Sequence, residues 1–214
     1  IVMVAAGGGG GGSDGCSGCH DASSSHGGGG GAVGQKGQDG AADNTYNAFM
    51  EGGKGASATA GGAGGVANNQ SQYNTCTPPQ GPGNASNGEA GSAHTGGREG
   101  SNWCKFKTNS PPANYHNGGG YDYGNGHSGG GGSGYFGGGS GAFLYTYNGG
   151  GGGGGASWVD ASKVTLMATE GGNWQTSGGT GHPQYQNEAG RGGGQKTGNL
   201  QGSDGNPGLV IVTL

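Results

Sequence analysis

Residues 149 to 160 read GGGGGGGASWVD. Seven consecutive glycines bring no side chains to a core, and as an isolated stretch they would be a flexible linker. Ordering each one costs up to about 1 kcal/mol more than ordering alanine. What could hold such a run decides the fold. The question is general, because 64 of the 214 residues are glycine.

Glycine is distributed in two ways. Pure runs occur at 7–12, 27–31, 129–132 and 149–155. Elsewhere it recurs every third residue: Gly31, Gly34, Gly37 and Gly40; Gly52, Gly55, Ala58, Gly61 and Gly64; Gly88, Gly91, Gly97 and Gly100, with His94 interrupting; and Gly202, Gly205 and Gly208. Three is neither the helical 3.6 nor the strand period of two. It is the repeat of an extended left-handed helix with three residues per turn and no internal hydrogen bonds. The N–H and C=O groups of such a helix point outward and must find partners on neighbours. A helix surrounded by others has to be glycine on every face, whereas one at the rim needs glycine on one face only. The expected fold is therefore a polyglycine II helix bundle with essentially no α-helix, in which pure runs are buried and G-x-x repeats form the rim. On this reading a bulky substitution within 149–155 is far more damaging than one at Gly88. Collagen shares the period, but its repeat is unbroken and rich in proline, and here there are seven prolines.

The remaining composition fits a body held by hydrogen bonds. Leu, Ile, Val and Phe number only 19, too few for an ordinary core in a single domain spanning 1–214. Such a composition is typical of disordered chains. With 9% charged residues and a net charge of −4, however, no repulsion expands this one. Eight Lys and Arg make no basic patch, which argues against nucleic acid, and no apolar run approaches the ~20 residues of a membrane helix. The chain begins without Met or a signal peptide, as a processed or excised region would. Apolar residues cluster in IVMVAA (1–6), AFLYTY (142–147), WVDASKVTLMA (158–168) and LVIVTL (209–214). These β-branched and aromatic stretches read as strands of a small sheet or sandwich. The terminal ones, with Ile1, Val2, Val4, Leu209, Val210, Ile211 and Val212, are expected to lie side by side, or to complete a sheet in a neighbouring subunit.

IVMVAAGGGGGG (1–12), SGGGGSGYFGGGSGA (128–142) and NGGGGGGGASWVD (148–160) together carry a family likeness. An apolar strand ends in Ala-Ala before a glycine run, a Gly-aromatic-aromatic-Gly stretch follows, and a further glycine run feeds Ser-aromatic. Over about residues 1 to 160 the chain resembles the glycine-rich domain in the extracellular regions of the anaplastic lymphoma kinase and leukocyte tyrosine kinase receptors, and of protist glycine-rich surface proteins. GNPGLVIVTL (205–214) resembles the closing strand of the protist versions. The resemblance implies packed polyglycine helices on a β-sandwich base. It implies no kinase activity, because no kinase motif is present, and no residues here permit transfer of the receptors' ligand binding. Phage tail-tip adhesins with glycine bundles are a looser match.

Candidate chemistry is sparse. Cys16, Cys19 and His20 spell C-x-x-C-H, the attachment pattern of a c-type haem. Haem needs an apolar pocket and a distal ligand, yet glycine and serine surround the motif. Zinc held by these residues with Cys76 or Cys104 lacks finger-like spacing. The preferred reading has no cofactor and two disulfides among Cys16, Cys19, Cys76 and Cys104. Three connectivities are possible, and the favoured one is Cys16–Cys19 with Cys76–Cys104. The cysteines and the N-x-S sequons at Asn69 and Asn84 point to an extracellular or cell-surface glycoprotein. GGSDG (11–15) matches G-x-S-x-G only because glycine is everywhere, and no paired carboxylates or phosphate loop occur, so no enzyme is expected. Tyr115, Tyr121 and Tyr123 form an aromatic cluster that could bind protein or glycan or could cover the bundle's edge. The leading expectation is a structural module that self-associates into a surface layer or fibre. A recognition or adhesion domain is second, and an ice-binding protein, disfavoured by charged residues at the x positions, is third.

Overall fold

The structure, a computed structural model, describes residues 1–12, 25–42, 50–67, 85–97, 128–144, 149–185, 188–194 and 202–212. No α-helix occurs among them, and the regular strands are short. β1 (Met3–Val4) pairs antiparallel with β4 (Trp158–Val159), and β2 (Ala85–Ser86) pairs antiparallel with β3 (Phe143–Leu144). Most of the described backbone is bonded in another way.

The run 150–156 shows how. Its N–H groups donate in rotation to three neighbours: those of Gly150, Gly153 and Ala156 to the carbonyls of Ala142, Gly139 and Phe136; those of Gly151 and Gly154 to Ala41 and Gln38; those of Gly152 and Gly155 to Gly10 and Gly7. Its carbonyls accept in the same rotation from three more: Gly129, Gly132 and Tyr135; Gly53 and Ala56; Gly28 and Gly31. Donation goes to the three antiparallel neighbours, and acceptance comes from the three parallel ones. The six segments also bond to one another around the ring, as Gly9 N–H to Gly28 and Gly141 N–H to Gly129 illustrate. Every third residue thus faces the same neighbour, and the longest glycine run lies at the centre of six others. The run 7–12 repeats the rule, donating in turn to 133 and 130, to 206 and 203, and to 28 and 25 over 2.7–2.9 Å. Each such bond contributes about 1 kcal/mol net.

Burial follows the same period. Ala60, Ala63 and Val66 are exposed, whereas Gly62 and Gly65 are buried. Among the described residues the buried apolar side chains are six alanines and Met50, and the other large groups sit at edges and ends.

Four expectations are corrected. Gly34 is no step of a continuous repeat. It lies in a reversal closed by Gln35 N–H to Ala32 O, with φ +77° and nothing within 4 Å of where a Cβ would stand. Ala58 and His94, the apparent lapses, also mark reversals, at 57–60 and 92–95, and His94 has φ 66°. The period of three resets at each turn because a bundle of short segments has to double back. Gly88 is no safer than the central run, since a methyl group there would overlap the Ser140 carbonyl. A rim segment packs its glycine face as closely as a buried one does. Lastly, β1 takes Trp158–Val159 as its ladder partner, and 209–212 forms no strand. The closing segment instead runs beside the opening one in the bundle's register: Gly202, Gly205 and Gly208 face Gly11, Gly8 and Ala5.

Candidate functional site

The antiparallel weave gives the bundle two different ends. Tight reversals at 32–35, 57–60, 92–95 and 134–136 lie at one, together with β1, β4 and the closing segment. At the other end, Gly12 donates to Ser25, Met50 bridges Ala67, Ala85 pairs with Leu144, and Ser203 donates to Gly194. There the described backbone leads into 13–24, 43–49, 68–84, 98–127, 145–148 and 195–201. Cys16, Cys19, His20, Cys76, Cys104, Asn69, Asn84, Tyr115, Tyr121 and Tyr123 all lie on these stretches, outside the described residues. Among the described residues no group of three His, Cys, Asp or Glu could hold a metal ion.

The turn end is apolar and open. Ile1 is 69% exposed and Val212 66%, with Val2, Leu209 and Val210 also exposed. Val4 and Ile211 are half-buried. Beside them Tyr135 stacks on Trp158, with centroids 4.7 Å apart and planes within 15°, and meets His94 and Phe136 edge-on. This stack joins the reversal at 134–136 to β4, and Ser157 pins the corner by accepting from Ala6 N–H and donating to the Gly31 carbonyl. Of the residues expected to assemble, the structure brings both terminal groups to this one end without placing them in one sheet.

A second arrangement on the flank has a sequence signal that is easily overlooked. Asn173 Oδ1 accepts the N–H groups of Gln175 and Thr176, both at 2.7 Å, and Asn173 N–H donates to the Thr176 carbonyl. NWQT is thus an Asx turn with Trp174 near its tip. Trp174 N–H donates to Gln38 Oε1 at 3.1 Å, and its indole stacks on His26 at 4.3 Å and 13° while staying 37% exposed.

Burial holds the His26 imidazole below its ordinary value of 6.5. The unfolded chain therefore takes up the proton first. This contribution to stability is complete above pH 6.5 and is lost as the pH falls from there through the folded value. The melting temperature should fall between pH 7 and 5, and His26→Gln should flatten part of that slope in a thermal-denaturation series.

Other charged groups form local pairs three residues apart, Lys36 with Asp39 and Glu51 with Lys54. In a three-residue repeat these positions share a face, so K-x-x-D and E-x-x-K were signals available in the sequence. Burial opposes ionisation of Asp39, but hydrogen bonds from Lys36 and Gly55 N–H, with the charges of Lys36 and Lys54, outweigh it and lower its pKa. These pairs decorate the surface and assemble no reactive constellation. Searches of protein-family models, curated proteins and solved structures find no match to the chain.

Proposed function

We propose that this chain is a non-catalytic extracellular structural module, a polyglycine II bundle that self-associates through its apolar turn end into a surface layer or fibre. The observation that carries the reading is the pairing of a backbone-bonded body with exposed Ile1, Val2, Leu209, Val210 and Val212 at one end. Water-exposed apolar side chains gathered at one place favour association, and a body cross-bonded along every run transmits load without a fluid core. The three-residue rotation of donors supports the polyglycine II assignment. No cofactor, nucleic acid or membrane insertion enters this function.

Electron microscopy and sedimentation of the full chain test it. Wild-type protein should form regular assemblies, and removing 209–214, or combining Ile1→Asp with Val212→Asp, should leave discrete particles with an unchanged melting temperature. Monomeric wild-type protein would contradict the reading.

A second reading, a recognition or adhesion ectodomain, draws on a different observation: the backbone leads into all three stretches that carry the cysteines and the tyrosine cluster from the end opposite the apolar one. The runs flanking 68–84 and 98–127 are all neighbours of 137–142. Tyr121→Ala and Tyr123→Ala would then abolish ligand binding and spare assembly.

A further inference from the structure

We propose that the Trp174 turn, with Gln38, is a binding platform for neutral pyranose chains. Asn173 Oδ1 holds two backbone N–H groups, and Gln38 Oε1 holds the N–H groups of Gly29 and Trp174 at 3.2 and 3.1 Å. With each carbonyl oxygen held by backbone donors, each amide nitrogen is left to donate elsewhere, and of the two side chains Gln38 is exposed and Asn173 half-buried. The Trp174 indole is held by its stack on His26, and its backbone by the Asx turn and Gln38, so little conformational freedom remains to be lost on binding. A fixed, partly exposed ring with amide donors beside it matches a sugar: the ring packs on the C–H face of a pyranose, and the amides meet its hydroxyl oxygens. Gln38, Gln175 and Thr176 are exposed and uncharged, which selects a neutral saccharide over an acidic one. The platform lies on the flank, beside the runs 25–32 and 190–194, away from the apolar turn end. It therefore does not depend on how copies associate, and a structural module would use it to attach to a polysaccharide matrix.

The full chain, titrated with cellohexaose, maltohexaose and chitohexaose, tests the platform by following the Trp174 indole N–H resonance and binding calorimetry. At least one sugar should shift that resonance saturably. Trp174→Ala should weaken binding about tenfold or more, as loss of a central aromatic anchor does, and Trp174→Phe should retain most of it. Gln38→Glu keeps an oxygen for Gly29 and Trp174 but removes the amide donor, and should weaken binding without altering the melting temperature. The proposal is overturned if none of the three sugars shifts the resonance, if binding survives Trp174→Ala, or if Gln38→Glu binds as the wild type does.

Discussion

Gly152→Ala is expected to prevent the bundle from forming, although it adds a single methyl group and removes no contact. That carbon would overlap the Gly130 carbonyl, itself part of the acceptor lattice. Ordinary overpacking of a core costs about 1–3 kcal/mol because side chains can shift. Here the obstructing atoms are backbone, so relief requires moving a whole segment and stretching the bonds it makes to its other neighbours. The cost should exceed about 3 kcal/mol, above that usual range. Gly181→Ala is the matched control: nothing lies within 4 Å of the new methyl and the backbone there is not left-handed. It should leave the melting temperature within a degree or so of the wild type, or raise it slightly through lost unfolded-state freedom. Chemical denaturation of the two variants checks the contrast, and equal stability would mean that the close approach of backbones does not hold the protein together.

Met50→Ala should have the second-largest effect. Met50 is 1% exposed and is the largest fully buried side chain among the described residues. It bridges Ala67 at the far end of the runs 50–56 and 60–67, opposite the reversal at 57–60 that joins them. Truncation empties the volume of a fully buried side chain, and by analogy with other buried methionines should cost about 2–5 kcal/mol. Met50→Leu, close in volume, should recover most of that in the same denaturation experiment. A negligible loss from Met50→Ala would show that this segment end contributes nothing to cooperativity.

How far the sequence discloses this architecture depends on which residues are asked. The central position of 149–155 is legible because no other run is pure glycine for so long, and only glycine tolerates neighbours on all sides. The facing of Gly202, Gly205 and Gly208 onto 5–11 is legible from their spacing. The turns are not, because at Gly34 the reversal falls in step with the repeat and is disguised as part of it, while Ala58 and His94 read as mere lapses. Likewise IVMVAA and LVIVTL look like natural partners by composition. Strand pairing between them is overridden because β1 is drawn to Trp158–Val159 where the run 149–156 ends, and the closing segment follows the bundle's register up to Gly208. Gly88 shows the same limit in another form: a repeat tells which face is glycine, but not how closely that face is approached. The Trp174 platform depends on amide orientations that only hydrogen-bond geometry reveals, although Asn before Trp-Gln-Thr is an Asx-turn signal.

Among the described residues, backbone hydrogen bonds between glycine runs hold the bundle together in place of a hydrophobic core. Residue-resolved amide hydrogen exchange addresses this most directly. The amides of 150–156, each donated to a neighbouring run, should exchange only through global unfolding, as core amides of ordinary proteins do. Gly34 and the exposed 165–168 stretch should exchange orders of magnitude faster. Exchange of the 150–156 amides at the rate of an unstructured glycine peptide would contradict the account.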